Sequence, residues 1–192
     1  MLADYHVHTN FSDDSWYPLE KVAADALRLN LDEICVTDHV DYGVKPDWGN
    51  PEGARLEYGQ PVLNVDYGRY FPHVAKMRER FAPDLAIACG LELGVQRHTV
   101  GPSRRLVERW AEELDFVLLS IHQVDDLEFW MGDYQKGRTQ EEIHTAYYEE
   151  LLAVMDAFDG WDCIAHLDLI RRYDPFGDYP FERIRDQLAA VL

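Results

Sequence analysis

Histidines and carboxylates recur at the ends of apolar runs along this chain. His6 and His8 form a His-x-His within Asp4-Tyr5-His6-Val7-His8, and Asp13 and Asp14 follow on the next segment. Thr37-Asp38-His39, Gly90-Leu91-Glu92-Leu93-Gly94, Ser120-Ile121-His122 and Ala165-His166-Leu167-Asp168 each close a further apolar run with a potential ligand. Side chains on a strand alternate between faces, so His6 and His8 point the same way and can grip one divalent ion. A carboxylate on the following loop can serve a second ion. A single His-x-His arises often by chance, whereas successive run ends that all carry His or carboxylate do not. The chemistry these residues suit is that of a multinuclear metal enzyme.

Such ligands need a scaffold that brings the run ends together. Strand-like runs at 2–8, 33–39, 85–93, 116–124 and 162–169 alternate with amphipathic stretches at 18–29, 67–81, 102–113, 140–158 and 181–192. The apolar period switches between two and about 3.6 each time, the pattern of βα units around a parallel sheet. In the third run Ala88, Gly90 and Glu92 share a face; in the fourth, Leu118, Ser120 and His122 do. Small residues behind a ligand suit the narrow inside of a barrel, whose active site lies at the carboxyl ends of its strands. An open doubly wound sheet would bring fewer strand ends together, so an α/β barrel is predicted. The long connection at 40–65, which leaves directly from His39, is predicted to cover substrate. The blander expectation for it is an exposed insertion packed by Trp48, Leu56 and Tyr58.

Composition limits the partners. The chain has 192 residues, 47% of them hydrophobic, enough for one domain with a core of its own. No apolar run approaches a membrane span, and the N-terminus lacks the basic and apolar regions of a signal peptide, so no membrane partner is expected. Cys35, Cys89 and Cys163 are odd in number, far apart and set in apolar runs. They read as buried free thiols of a reduced, cytoplasmic protein. The net charge of −18 repels a nucleic-acid backbone, which argues against that partner. It leaves small phosphate esters open, because bound divalent ions would reverse the local field.

The segments DYHVHTNFSDDS, TDH, GLELG, SIH and AHLDLIRRY, in this order and spacing, resemble the polymerase-and-histidinol-phosphatase (PHP) superfamily. The likeness is greatest to its histidinol-phosphate phosphatase branch and runs from Asp4 to about Tyr173. It implies a distorted (β/α)7-type, TIM-like barrel, with about five βα units in this single 192-residue domain. By motif, His6, His8 and Glu92 would bind one ion. Glu92 would bridge to a second ion shared with His122 and His166, and Asp14 and His39 would hold a third, with Asp13 in reserve for Asp14. Two to three divalent ions are thus implied, and mixed ligation of this kind fits zinc, manganese or iron. The family's late Ser-Asp-x-His-like motif does not occur before Leu192. The expectation is therefore a barrel short of its last one or two βα units, with open strand edges that pair into a homo-oligomer. Its first and third metal sites should be weakened and its phosphatase activity low or absent.

The activity implied by the resemblance is metal-dependent hydrolysis of a small phosphomonoester, L-histidinol phosphate, in histidine biosynthesis. Water acidified by the ions would attack phosphorus beside Glu92. Arg171 or Arg172 would clamp the phosphoryl group, with Arg171 preferred, unless the two are plain surface arginines. Asp168 shares the His166 face, and its role stays open between catalysis or substrate contact, support of a ligand, and a strand-end cap. Arg97 and His98 follow the third run closely enough to touch substrate. Asp38, facing away from His39, could fix a neighbouring imidazole. His144, in TQEEIHTAYYEE, reads as a solvated helix residue. Two rival readings are a nucleotide or oligonucleotide phosphoesterase of the same superfamily and a non-catalytic metal-binding barrel fragment.

Overall fold

The computed structural model describes residues 1–192. Its central sheet has five parallel strands that lie side by side in chain order. They are β1 (Ala3–Val7), β2 (Glu33–Val40), β3 (Ala86–Gly94), β4 (Phe116–Ser120) and β5 (Cys163–Ile164). Parallel neighbours cannot be joined by a tight turn, and helices make each crossover. These are α1 (Leu19–Arg28), α2 (Tyr67–Phe81), α3 (Val100–Arg109) and α4 (Gln140–Ala157). Beyond β5 come the short α5 (Leu169–Arg172) and α6 (Phe181–Val191).

Local chemistry sets these elements. In α1, Leu19, Ala23 and Ala26 fall on one helical stripe and are buried by it. Asp66 starts α2 by accepting the Arg69 N–H. At the start of α4 the Thr139 hydroxyl oxygen accepts the Glu142 N–H, and the Glu142 carboxylate accepts the Thr139 N–H at 2.7 Å, a reciprocal cap. β2 and β3 are buried on both faces, which accounts for their nearly unbroken apolar sequences.

The sheet curls. β1 and β5 lie at its opposite edges, and in a flat sheet four steps of about 4.8 Å would separate them by about 19 Å. The His6 ring at the end of β1 is nonetheless centred 5.5 Å from the His166 ring that follows β5. Only a half-barrel brings them that close. No helix is long and apolar enough to cross a membrane.

Several expectations need correction. The fifth strand is Cys163–Ile164 alone, where a run over 162–169 was predicted. β5 pairs only with β4, and the chain then leaves the ladder and turns into α5. Cys163, on that open edge, is exposed, whereas Cys35 and Cys89 are buried as predicted. The fourth run ends as strand at Ser120, and Gln123–Val124 folds into a hairpin with Leu127–Glu128. The 40–65 connection makes a second hairpin, Leu56–Glu57 against Gln60–Pro61. Its Trp48, Leu56 and Tyr58 stay exposed and do not pack it down. His144 is wholly buried: its Nε2 lies 2.7 Å from Asp174, and its ring stacks on Tyr179 at 4.2 Å. The charged neighbours of His144 mark the solvated side of α4, and the histidine takes the other side.

Candidate metal centre

One buried carboxylate gathers five imidazoles. Glu92 sits near the end of β3 and is fully enclosed. Its Oε2 lies 3.1 Å from His6 Nε2, 3.0 Å from His8 Nε2 and 3.3 Å from His39 Nδ1. Its Oε1 lies 3.1 Å from His122 Nε2 and 3.0 Å from His166 Nε2, and also accepts the Ser120 hydroxyl at 2.6 Å. Sheet register explains much of this. His39 on β2 is the direct lateral partner of Glu92, so the two leave the sheet side by side. Gly90, two residues earlier on the same face, leaves the backbones room: a Cβ there would come within 2.6 Å of the Phe116 carbonyl oxygen.

A second carboxylate closes one flank. Asp14 lies 3.0 Å from His8 Nδ1 and 3.4 Å from His39 Nε2. The loop that carries it is tied down by Asp38, which accepts the Thr9 N–H at 2.7 Å, the Thr9 hydroxyl at 2.8 Å and the Ser12 hydroxyl at 2.7 Å. Asp38 thus positions the loop of Asp14. The expectation that it fixes an imidazole is corrected, since all three of these bonds go to the loop.

The charges are strongly coupled. Burial alone would raise the Glu92 carboxyl, but His122, His166 and His6 hold it well below the usual range. Burial opposes a charged His8, yet hydrogen bonds to Asp14 and Glu92 lift it to about 10. His122 is lifted to about 10 against burial by Asp41 and Glu92. His166 is lowered, first by burial and then by its cationic neighbours, with Glu92 only partly compensating. Asp14 is depressed by His39 and His8 despite its burial.

The donor set fits divalent ions. His8 Nε2, His39 Nδ1 and Glu92 Oε2 are buried and lack a partner aligned for hydrogen bonding. Converging atoms of this kind are costly unless a cation satisfies them. Four groups of donors lie within 4.8 Å of one another: His6, His8 and Glu92; Glu92, His122 and His166; His8, Asp14 and His39; His39, Asp41 and His122. All seven residues singled out as ligands from the sequence line one cavity of about 630 Å³.

The other candidates separate. Arg172 lines the cavity, whereas Arg171 turns away to Asp168 at 3.3 Å and Asp178 at 3.2 Å. Asp168, at the start of α5, is exposed and is not part of the cavity wall. Arg97 pairs with Glu150 at 2.8 Å and His98 with Asp126 at 3.0 Å, both away from the cavity. The side chains of Arg171, Arg97, His98 and Asp168 are thus engaged away from the cavity wall. The cavity wall also contains Asp41, Lys45, Glu57, Glu128, Trp130 and Tyr173, none of which was singled out. Asp41 had a signal, since it stands two residues past His39, one step of the strand alternation beyond the end of β2. The two glutamates come from the two hairpins, whose positions no periodicity reveals.

Comparison with known proteins follows the same lines. A histidinol-phosphatase of Lactococcus lactis subsp. lactis is 27% identical over 192 residues, covering 98% of this chain and 65% of that protein. A probable histidinol-phosphatase of Clostridium acetobutylicum is 28% identical over 196 residues, covering 100% of this chain and 68% of that protein. This chain thus spans just under two thirds of the length of the Lactococcus relative. The crystal structure of histidinol phosphate phosphatase from Lactococcus lactis, complexed with zinc, L-histidinol and phosphate, superposes with a TM-score of 0.84. That match has 26% identity and covers 99% of this chain and 67% of the other. The putative histidinol phosphatase from Listeria monocytogenes shares the fold, with a TM-score of 0.76 at 19% identity. The PHP domain family model matches residues 4–192, nearly the whole chain and every ligand-bearing strand end, and the chain belongs to that family.

Proposed function

We propose that this chain carries out metal-dependent hydrolysis of a small phosphomonoester, and that L-histidinol phosphate is the substrate. The observation that carries the reading is the enclosed Glu92 with imidazole nitrogens at both of its oxygens. His6, His8 and Glu92 would hold one ion, Glu92, His122 and His166 a second, and Asp14 and His39 a third. When bound, divalent ions supply Lewis-acid polarisation of phosphoryl oxygens and acidify water for attack. Zinc is the favoured ion because the Lactococcus relative is complexed with it; manganese and iron suit the same donors.

The remaining work falls to the chain itself. Ser120 fixes one oxygen of Glu92 by donating its hydroxyl proton, which keeps the carboxylate between its two sets of imidazoles. Arg172 lines the cavity, where a guanidinium can take two phosphoryl oxygens and neutralise charge that grows as phosphorus is attacked. Trp130, Glu57 and Glu128 form one wall, where Arg55 pairs with both glutamates and stacks over Trp130. The aromatic face suits a leaving alcohol that carries a ring. Free cysteines accord with a cytoplasmic site of action.

Initial rates on L-histidinol phosphate, a nucleoside monophosphate and short single-stranded DNA test the assignment in one assay. Preference for the first supports it, and preference for either nucleotide substrate would replace it with a nucleic-acid-directed phosphoesterase.

A further inference from the structure

Behind the imidazoles lies a layer that the ligand set does not include. Asp41, 3% exposed, follows β2 two residues after His39. Its Oδ1 stands 2.6 Å from His122 Nδ1, and its Oδ2 lies 2.9 Å from Nζ of Lys45. Lys45 is itself buried and reaches Asp13 at 2.6 Å on its other side. Asn64 fixes the local backbone: its side-chain oxygen accepts the Asp41 N–H at 2.8 Å, and its amide donates to the Lys45 carbonyl at 2.9 Å.

The opposite nitrogen of His122, Nε2, faces Glu92 at 3.1 Å. With Nδ1–H donated to a carboxylate, a neutral imidazole must present its Nε2 lone pair to the centre. Gly94 makes the arrangement sterically feasible. A Cβ at that position would lie 1.9 Å from Asp41 Oδ1 and 2.8 Å from His122 Nδ1, so a side chain there would force the pair apart.

We propose that Asp41 is a positioning residue of the metal centre, locking the tautomer and ring direction of His122 while Lys45 holds its carboxylate in place and Gly94 leaves it room. This rests on reading the site as a metal centre. Asp41 could instead be a ligand itself, because it also groups with His39 and His122. The distances favour positioning: Asp41 is 3.8 Å from His39 Nδ1, and each of its oxygens already has a nearer partner in His122 or Lys45.

Zinc stoichiometry and affinity, measured by competition with a chromogenic chelator, would be compared in the wild type, Asp41→Asn and Gly94→Ala. The 15N shifts of the His122 ring in the zinc-loaded chain give a readout that general loss of stability would not move. Positioning predicts unchanged stoichiometry, one affinity lowered about ten- to a hundredfold in both variants, and a His122 Nδ1 shift moved toward that of an imidazole N–H without a carboxylate partner. Unchanged affinity and shifts in both variants would overturn it. Loss of one whole zinc equivalent with the other affinities intact would overturn it too, by making Asp41 a ligand. Absence of zinc binding by the wild type would remove the proposed function and this role together. Should Asp41→Asn fail to fold, Gly94→Ala decides, since it leaves every charge in place.

Discussion

Replacing Glu92 with Gln keeps the shape of the residue and removes its charge. The carboxylate faces His6, His8 and His39 with one oxygen and His122 and His166 with the other, all at 3.0–3.3 Å. An amide can offer its oxygen to one set only, and its NH2 must then face the other. At the set it deserts, the loss is at least one charge-assisted interaction, about 1.5–3 kcal/mol. At 1.4 kcal/mol per decade, that is about a ten- to hundredfold loss of zinc affinity at one site. The second site weakens as well, through loss of negative charge. Competition with a chromogenic chelator reads both sites, and circular dichroism checks that the fold survives. Two affinities within about twofold of wild type would refute the bridging role of Glu92.

Metal binding should release protons. In the metal-free chain Asp14 and Glu92 outweigh burial to lift His8 to about 10, and Asp41 and Glu92 do the same for His122. Both imidazoles are then charged at neutral pH and must lose a proton to coordinate, so zinc affinity should climb from pH 6 to 9. Calorimetry in buffers of differing ionisation enthalpy counts the protons, and a value near zero would contradict the pairing. The same raised values stabilise the metal-free fold fully below the unfolded histidine value of about 6.5, and that contribution is lost as pH rises toward 10. Melting temperature should therefore fall across that window in chelated protein and hold steadier in zinc-loaded protein. Among the arginines, Arg172→Ala should lower phosphate release by about ten- to a hundredfold, because only Arg172 lines the cavity. Arg171→Ala should change it little, and equal effects in steady-state kinetics would refute the distinction.

The gathering of histidines around Glu92 was legible because alternation on strands and a βα repeat are written directly in residue order. His6, His8, Glu92, His122 and His166 lie at or just beyond strand ends, where the pattern places a barrel's active site. The choice between Arg171 and Arg172 was not legible. The chain leaves β5 after Ile164 and turns into α5, where successive side chains diverge by about 100°, so neighbours in sequence face different surroundings. Cys163 was misread because an apolar run does not reveal whether its strand has a neighbour on both sides. His144 was misread because a charged stretch describes one side of a helix, and Asp174 and Tyr179, which enclose it, arrive from 30 or more residues away. Asp41 could have been found by extending the alternation past His39 by one more step.

Phosphate release from L-histidinol phosphate, followed side by side in chelated and zinc-reconstituted protein, tests the central claim most directly. The account predicts no turnover in the chelated chain and turnover that rises as zinc fills the Glu92 sites. Turnover that survives chelation would contradict it, as would a chain saturated with zinc and substrate that releases no phosphate.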